Sequence, residues 1–318
     1  MHEVLSGIDL RAIWQGLSPH LRPTLLVESE RLSHALGVRV RLASETLQHT
    51  GSFKFRAALA VAQNTHAEHL LAASSGNFGA ALALAARQAG KRCTIVMPST
   101  SARVKIASVA SYGAEVDLVD TKKKSRAARV AELAASLSEV AVVSAYDDPF
   151  VIAGNSSLGA EILAGDATDV VVVPVGGGGL SSGIVVARDA LGSRAKVLGA
   201  EPRLASDGAR SLREGKLVAN DGEPPTICDG ARTVSLGQRN FAILREGLEG
   251  IAEVEEATVE RAVRMLFELA NLKVEPTGAL AVAAVLQEPS RFAGKNVTCV
   301  VSGGNVDAEL YARLLQSA

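Results

Sequence analysis

Aromatic side chains make up only 3% of this 318-residue chain, which has a single tryptophan. A core so poor in rings must be filled by aliphatic groups, and the 47% apolar content is rich in Ala, Val and Leu. That composition suits parallel strands covered by helices on both faces. Cysteine is scarce as well. Cys93, Cys228 and Cys299 lie far apart and cannot all pair, and Cys93 and Cys299 sit in apolar, strand-like runs. Buried, reduced thiols are expected. A net charge of -1 offers no excess for nucleic acid or an anionic membrane. No apolar run is long enough to span a bilayer, and the N-terminus lacks the basic-then-apolar order of a secretion signal. A soluble, cytoplasmic protein is expected. All six histidines fall between His2 and His69 with no ligand spacing, which argues against zinc.

What is present is alternation. The length suits two domains or one large α/β unit. Helices are expected over 8–15, 29–36 and 56–63, with a strand over 38–42. Strands over 70–74, 94–97, 116–119 and 140–144 then alternate with helices over 80–88, 101–112 and 125–137. Such short strand-helix units imply a parallel sheet with right-handed crossovers, compact enough to form its own subdomain. The second half repeats the theme with helices over 152–163, 183–191, 257–270 and 278–286. Its strands are expected over 170–175, 197–200, 251–254 and 297–302, with loop over 214–230. The chain stops soon after, so no appended regulatory domain is expected.

Four segments carry chemistry. Thr50-Gly51-Ser52-Phe53-Lys54-Phe55-Arg56 flanks a lysine with aromatics. A lysine held against apolar surface loses ammonium character, and a neutral amine can attack an aldehyde. Snorkelling at a helix start is the commoner use of such a lysine. Gly176-Gly177-Gly178-Gly179 follows a buried strand and precedes a helix. Backbone N–H groups there can cradle a phosphate, helped by the helix N-terminus. A dinucleotide site would prefer a different glycine spacing and an earlier place in the chain. Ser74-Ser75-Gly76-Asn77-Phe78-Gly79 joins a strand to a helix and offers a hydroxyl and an amide, either of which could simply cap the helix. Ser302-Gly303-Gly304-Asn305 ends the last strand, where ligands sit in open α/β sheets. Glu275-Pro276-Thr277-Gly278 opens a helix and reads as a cap.

These segments, in this order and spacing, resemble pyridoxal-phosphate enzymes of fold type II, in the serine/threonine dehydratase and serine racemase branch. The resemblance covers nearly the whole chain. It implies an α/β fold like that of the tryptophan synthase β chain, with two open, mainly parallel twisted sheets and helices on both faces. Residues 1–68 with 147–318 would form a large cofactor-binding domain, and 69–146 a small mobile one. Lys54 would hold the cofactor's aldehyde and then remove the substrate α-proton. Gly176, Gly177, Gly178 and Gly179 would hold the phosphate, Asn77 would contact the ring hydroxyl, and Phe53 would pack on the ring. Ser302 would meet the pyridine nitrogen. A neutral serine cannot keep that nitrogen protonated as a carboxylate would, which weakens the electron sink and favours prompt β-elimination.

Ser75 would sit on the cofactor face opposite Lys54, where a hydroxyl can return a proton or serve the leaving group. The substrate would touch Ser75, Gly76, Asn77 and Phe78. Arg126 matches a residue that reaches the substrate carboxylate in racemase relatives, Thr233 matches a hydroxyl partner, and Gly230 lines the site through its backbone. Glu201, the carbonyl of Ala205 and Asp207 match a divalent site in serine racemase and related dehydratases, suited to Mg²⁺ or Ca²⁺. Departures from the family pattern are Phe78 in place of histidine, Asn155 in place of glutamine and Thr46 in place of asparagine.

The expected reaction is dehydration and deamination of a β-hydroxy amino acid such as serine, threonine or 3-hydroxyaspartate, giving a 2-oxo acid and ammonia. Serine racemisation through Lys54 and Ser75 is the close rival, and β-substitution belongs to the same class. Two readings come from other classes. One is an NAD(P)-binding oxidoreductase, suggested by the glycines. The other is a non-catalytic binding homologue, which retention of Lys54, Ser75, Asn77 and Ser302 argues against. The resemblance also implies a homodimer acting on a small amino acid, with no nucleic-acid or membrane partner.

Overall fold

The computed structural model describes residues 3–74, 76–101, 103–165 and 168–316, with Val104 described by its backbone alone. The first elements are α1 (Leu10–Leu17), β1 (Leu25–Glu28), α2 (Glu30–Leu36), β2 (Arg39–Ser44) and α3 (Lys54–Asn64). Side chains set their starts: Asp9 accepts from Arg11 N and Ala12 N to open α1, and Ser29 accepts from Leu32 N to open α2. Gly37, in the left-handed region, closes α2.

The chain then runs β3 (His69–Ala73), α4 (Asn77–Gln88), β4 (Arg92–Pro98), α5 (Arg103–Ser111), β5 (Glu115–Val119), α6 (Arg126–Ser136) and β6 (Val140–Val142). These four strands form one parallel sheet, ordered β5-β4-β3-β6. The remainder comprises α7 (Pro149–Ile162), β7 (Val170–Pro174), α8 (Gly179–Leu191), β8 (Lys196–Pro202), α9 (Asp207–Glu214) and α10 (Gln238–Gly247). It closes with β9 (Ile251–Val254), α11 (Glu256–Ala270), α12 (Pro276–Gln287), β10 (Asn296–Val301) and α13 (Ala308–Gln316). A second sheet has the order β1-β2-β10-β7-β8-β9, in which only the β1–β2 pair is antiparallel.

Strand periodicity divides the core. Val170 and Val172 face one apolar cluster with α2, α11 and α12, while Val171 and Val173 face another with α3, α7 and α8. In the smaller sheet Leu70 and Ala72 join the second of these clusters, and Leu71 turns to a small group with Val96, Val119 and Val130. Helices therefore cover both faces of each sheet, as the aliphatic composition implies. The three cysteines are buried and free. Trp14 on α1 donates to Ser156 Oγ on α7 at 2.8 Å.

A buried ion-pair network ties the scaffold together. Arg56 on α3 has no exposed surface and donates through Nε to Glu45 at 2.8 Å and through Nη1 to Glu161 on α7 at 2.7 Å. Thr24 Oγ1 at 2.9 Å and Ser157 Oγ at 3.1 Å accept from the same guanidinium. A buried charge is tolerable only when paired and hydrogen-bonded in this way. The network fixes α3, whose first residue is Lys54, against α7 and the end of β2.

Three helices, α9, α10 and α13, were not expected from the sequence. No element is expected from the sequence around Gln238-Arg239-Asn240, although α10 buries Asn240, Phe241, Ile243 and Leu244. Conversely, β6 ends at Val142, two residues short of the expected 140–144.

Candidate active site

Main-chain bonds bring the first and last chemistry-bearing segments together. Phe53 N donates to Ser302 O at 3.0 Å, Gly304 N donates to Gly51 O at 3.0 Å, and Ser52 pairs with Gly303 in an isolated bridge. Lys54 follows at once as the first residue of α3. Its Nζ donates to Ala145 O at 2.8 Å and lies 5.0 Å from the Phe53 ring centroid and 5.7 Å from that of Phe78. Burial pulls its pKa down to about 8, against the opposing pull of Glu275. At pH 7.5 roughly a quarter of such amines are neutral, against roughly one in a thousand for an ordinary lysine.

The glycine tetrad is closely backed by Tyr146, Asn240 and the backbone of Gly230 and Ala231. Helix α8 begins at Gly179, four residues before the expected start at 183, so the tetrad includes the first helical residue. Gly178 has φ +92°, a backbone conformation that side chains disfavour. A Cβ on Gly177 would collide with the Tyr146 ring, and one on Gly178 would come within 2.8 Å of Asn240 Cβ. Asn240 Nδ2 donates to Gly177 O at 2.8 Å and to Tyr146 O at 3.0 Å, which holds the turn. A bare backbone facing a helix N-terminus is an anion cradle.

In the third segment, Ser74 Oγ accepts from Gly79 N at 3.0 Å, so Ser74 supports the turn that Ser75 or Asn77 was expected to cap. Ser75 itself lies outside the described residues. Asn77 begins α4, and its Nδ2 donates to both carboxyl oxygens of Glu275 at 2.9 and 3.2 Å. Its Oδ1 accepts from Asn305 Nδ2 at 2.9 Å. Glu275 occupies the N-cap position of α12, but its carboxyl caps nothing. Burial, then the charge of Asp229, pushes its pKa up to about 8. The sequence did carry a signal for Glu275: the acid opens an uncharged helix, whose interior leaves it nowhere to be solvated. Asn305 closes the Ser302-Gly303-Gly304-Asn305 segment already singled out, whereas Tyr146 and Asn240 had no such signal.

These groups share one cavity of about 380 Å³, at the carboxyl ends of β3, β7 and β10. Phe53, Lys54, Gly76, Asn77 and Phe78 line it, as do the four glycines and Ser302. Arg126 and Thr233 lie on its walls, together with Gly230, whose N donates to Thr277 Oγ1 at 3.0 Å. A larger hollow of about 790 Å³, between α2 and strands β2 and β10, contains none of these residues.

Glu201, Ala205 and Asp207 stand outside the cavity. Glu201 on β8 and Asp207 at the start of α9 are both buried, and Ala205 ends the short turn between them. Glu201 accepts from Ala209 N at 2.7 Å and Asp207 from Asn220 Nδ2 at 2.8 Å, while Asp207 Oδ2 has no partner among the described residues. Burial raises the Glu201 carboxyl well above its ordinary range and Asp207 to about 6. Among the described residues, no lysine or arginine bonds either carboxyl and no third acid, cysteine or histidine joins them. Two carboxylates, a carbonyl and water would suit a hard divalent cation, whose charge would meet the orphaned oxygen. Asn220 also donates to Thr233 O at 3.2 Å and to Val234 O at 2.8 Å, which ties this pair to the cavity wall.

Residues 17–303 match the family described as pyridoxal-phosphate dependent enzymes. The chain belongs to that family. It is 35% identical over 304 residues to the L-threo-3-hydroxyaspartate ammonia-lyase of Saccharomyces cerevisiae, covering 94% of this chain and 93% of the relative. It is 32% identical to the serine racemase of Schizosaccharomyces pombe, covering 96% of each. A crystal structure of a threonine deaminase, from the source abbreviated T.th., superposes with a TM-score of 0.88 at 40% identity, covering 94% of this chain and 98% of the other. Pyridoxal phosphate requires an amine for its aldehyde, an anion cradle and a partner for its ring nitrogen. Lys54, the glycine tetrad and the Ser302 hydroxyl could supply these from one cavity.

Proposed function

We propose that this pyridoxal-phosphate dependent enzyme is an ammonia-lyase that converts a β-hydroxy amino acid to a 2-oxo acid and ammonia. The observation that supports it most is Lys54, an amine pulled to about 8 by burial and aimed into the same cavity as the glycine tetrad. When bound, pyridoxal phosphate withdraws electrons from the substrate's α-carbon and acidifies its C–H bond. Lys54 Nζ takes that proton. The N–H groups around Gly176, Gly177, Gly178 and Gly179 would hold the phosphate. Asn77, held by Glu275 and Asn305, would serve the ring hydroxyl, and Phe53 would pack on the ring. Ser302 would meet the ring nitrogen without ionising it. Arg126 and Thr233 receive the substrate's carboxylate, and Gly76 and Phe78 shape the floor. The C–O bond at Cβ breaks and water departs, assisted by the Ser75 hydroxyl. A water molecule then displaces ammonia, so the net change is loss of ammonia and gain of a ketone.

Racemisation is the second reading, favoured by Ser75 and by the serine racemase relative. It needs only that Ser75 return a proton to the α-carbon in place of water loss. We further propose that Glu201, the Ala205 carbonyl and Asp207 hold Mg²⁺ or Ca²⁺. In this reading the molecule is a cytoplasmic homodimer, with 69–146 moving over the larger domain formed by 1–68 and 147–318.

The test uses the holoprotein with L-serine, L-threonine and L-threo-3-hydroxyaspartate, measuring 2-oxo acid and D-isomer separately. Borohydride should fix the cofactor to Lys54, and Lys54→Ala should abolish both fixation and oxo-acid release. Fixation that survives Lys54→Ala sinks the assignment.

A further inference from the structure

Among the described residues the Lys54 amine has one hydrogen-bond acceptor, the Ala145 carbonyl at 2.8 Å. A protonated lysine has three N–H bonds to place. The other neighbours of Nζ are two rings, with centroids at 5.0 Å for Phe53 and 5.7 Å for Phe78. Their settings differ. Phe53 is half-buried and stands where the cofactor ring is expected, whereas Phe78 is only 2% exposed and belongs to the apolar cluster that includes α3 and α7. Lys54 itself is half-buried and lines the cavity, so the ring of Phe78 meets the amine from the core. Phe78 is the second residue of α4, which packs on α3, and the Gly79 N bond to Ser74 Oγ at 3.0 Å holds that start in place.

We propose that Phe78 is a positioning residue for Lys54: its ring closes the core side of the amine to water and to hydrogen-bond acceptors, which leaves the amine free to take a proton. This inference rests on the reading of Lys54 as the base, and it gives Phe78 a part that does not depend on touching the substrate. A ring face does attract an ammonium, but more weakly than the water it displaces, so the neutral amine gains. The other titratable groups lining the cavity are Glu275 on α12, Tyr146 before α7, Arg126 on α6, and Glu223, Asp229 and Arg232 between α9 and α10. Of these, Glu275 is the one whose charge acts on Lys54, in the direction that would keep the amine protonated. Its carboxyl holds its own proton to about pH 8, which leaves little charge to oppose the ring. Phe78 is also a place where the chain departs from the family's histidine, a side chain that would offer the ammonium an acceptor.

The experiment uses the full chain freed of cofactor, since an amine joined to the cofactor cannot be labelled. Trace acetic anhydride is applied across the neutral-to-alkaline range, and the Lys54 peptide is quantified by mass spectrometry, which gives the pH of half-titration. The expected midpoint in the unaltered chain is about 8. Phe78→His puts a polar ring into nearly the same volume, and its imidazole is neutral over this range. The midpoint should rise by about one unit or more, roughly a tenfold loss of neutral amine at neutral pH. Phe78→Leu, apolar but without a ring, should stay within about half a unit of the unaltered chain, because the core side stays dry. Phe78→Gln should behave as histidine does and replaces that variant where circular dichroism shows it unfolded. In the holoprotein the acid limb of oxo-acid release should move up with the labelling midpoint. An unchanged midpoint in the polar variants, or an equal rise in Phe78→Leu, overturns the proposal. If the unaltered chain titrates near 8 and the polar variants do as well, the ammonia-lyase reading stands and only the role of Phe78 falls. If the unaltered chain titrates as an ordinary lysine does, the reading of Lys54 as the base falls, and this inference falls with it.

Discussion

Glu275 and Lys54 share one buried neighbourhood, and burial outweighs their mutual attraction for both. The acid therefore keeps a proton to about pH 8, and the amine sheds one near the same pH. Between pH 4.5 and 8 the folded chain retains a proton on Glu275 that the unfolded chain releases. Its contribution to stability thus falls as pH rises through that window, by at most about 1.4 kcal/mol per pH unit. Lys54 acts in the opposite sense between pH 8 and 10.5, where the unfolded chain holds the extra proton. The urea midpoint of the apoprotein should fall from pH 5 to pH 8, and Glu275→Gln should flatten that slope; an unchanged slope would show that the carboxyl is already ionised. At this scale the sequence was uneven. Lys54, Asn77 and the tetrad were singled out only together, because each segment alone could be a snorkelling lysine, a cap or a turn. Their order and spacing along the chain made the family resemblance. Glu275 contacts Asn77 across 198 positions, and nothing near it in the chain predicts that partner.

The element proposed to hold the cofactor's phosphate is the turn from β7 into α8. Its glycines were legible as four in a row, since each costs backbone entropy that a plain turn does not need. What was hidden was the surrounding packing: Tyr146 against Gly177, and Asn240 against Gly178 from a helix that the sequence did not reveal. Helices α9, α10 and α13 escaped notice because short segments rich in polar residues show too few apolar repeats to separate them from loop. Gly177→Ala should push its methyl into the Tyr146 ring and move the cradle. Cofactor affinity, titrated by absorbance, should drop by about 100-fold or more, a loss comparable to removing two charge-assisted bonds. Retained affinity would show that the ring can yield.

At the scale of the whole molecule, the parallel α/β architecture followed from composition and alternation, and the two sheets carry the strands in the expected blocks. Their relation to the cavity did not follow, because it depends on pairings such as Ser52 with Gly303 that no local pattern encodes. The carboxylate pair makes one global forecast. A divalent ion that binds only the folded protein stabilises it by about 2.7 kcal/mol at 100 times its dissociation constant. Mg²⁺ or Ca²⁺ should raise the melting temperature by several degrees and EDTA should reverse it. Asp207→Asn should abolish the response; an ion effect that persists in that variant would place the ion elsewhere.

Trp14 is the only indole in the chain, and it docks on α7, the helix that also clamps α3 through Arg56 and Glu161. Its fluorescence therefore comes from a single place in the scaffold behind Lys54. An observer following emission colour during unfolding of the holoprotein would see whether that scaffold parts before, or together with, release of the cofactor.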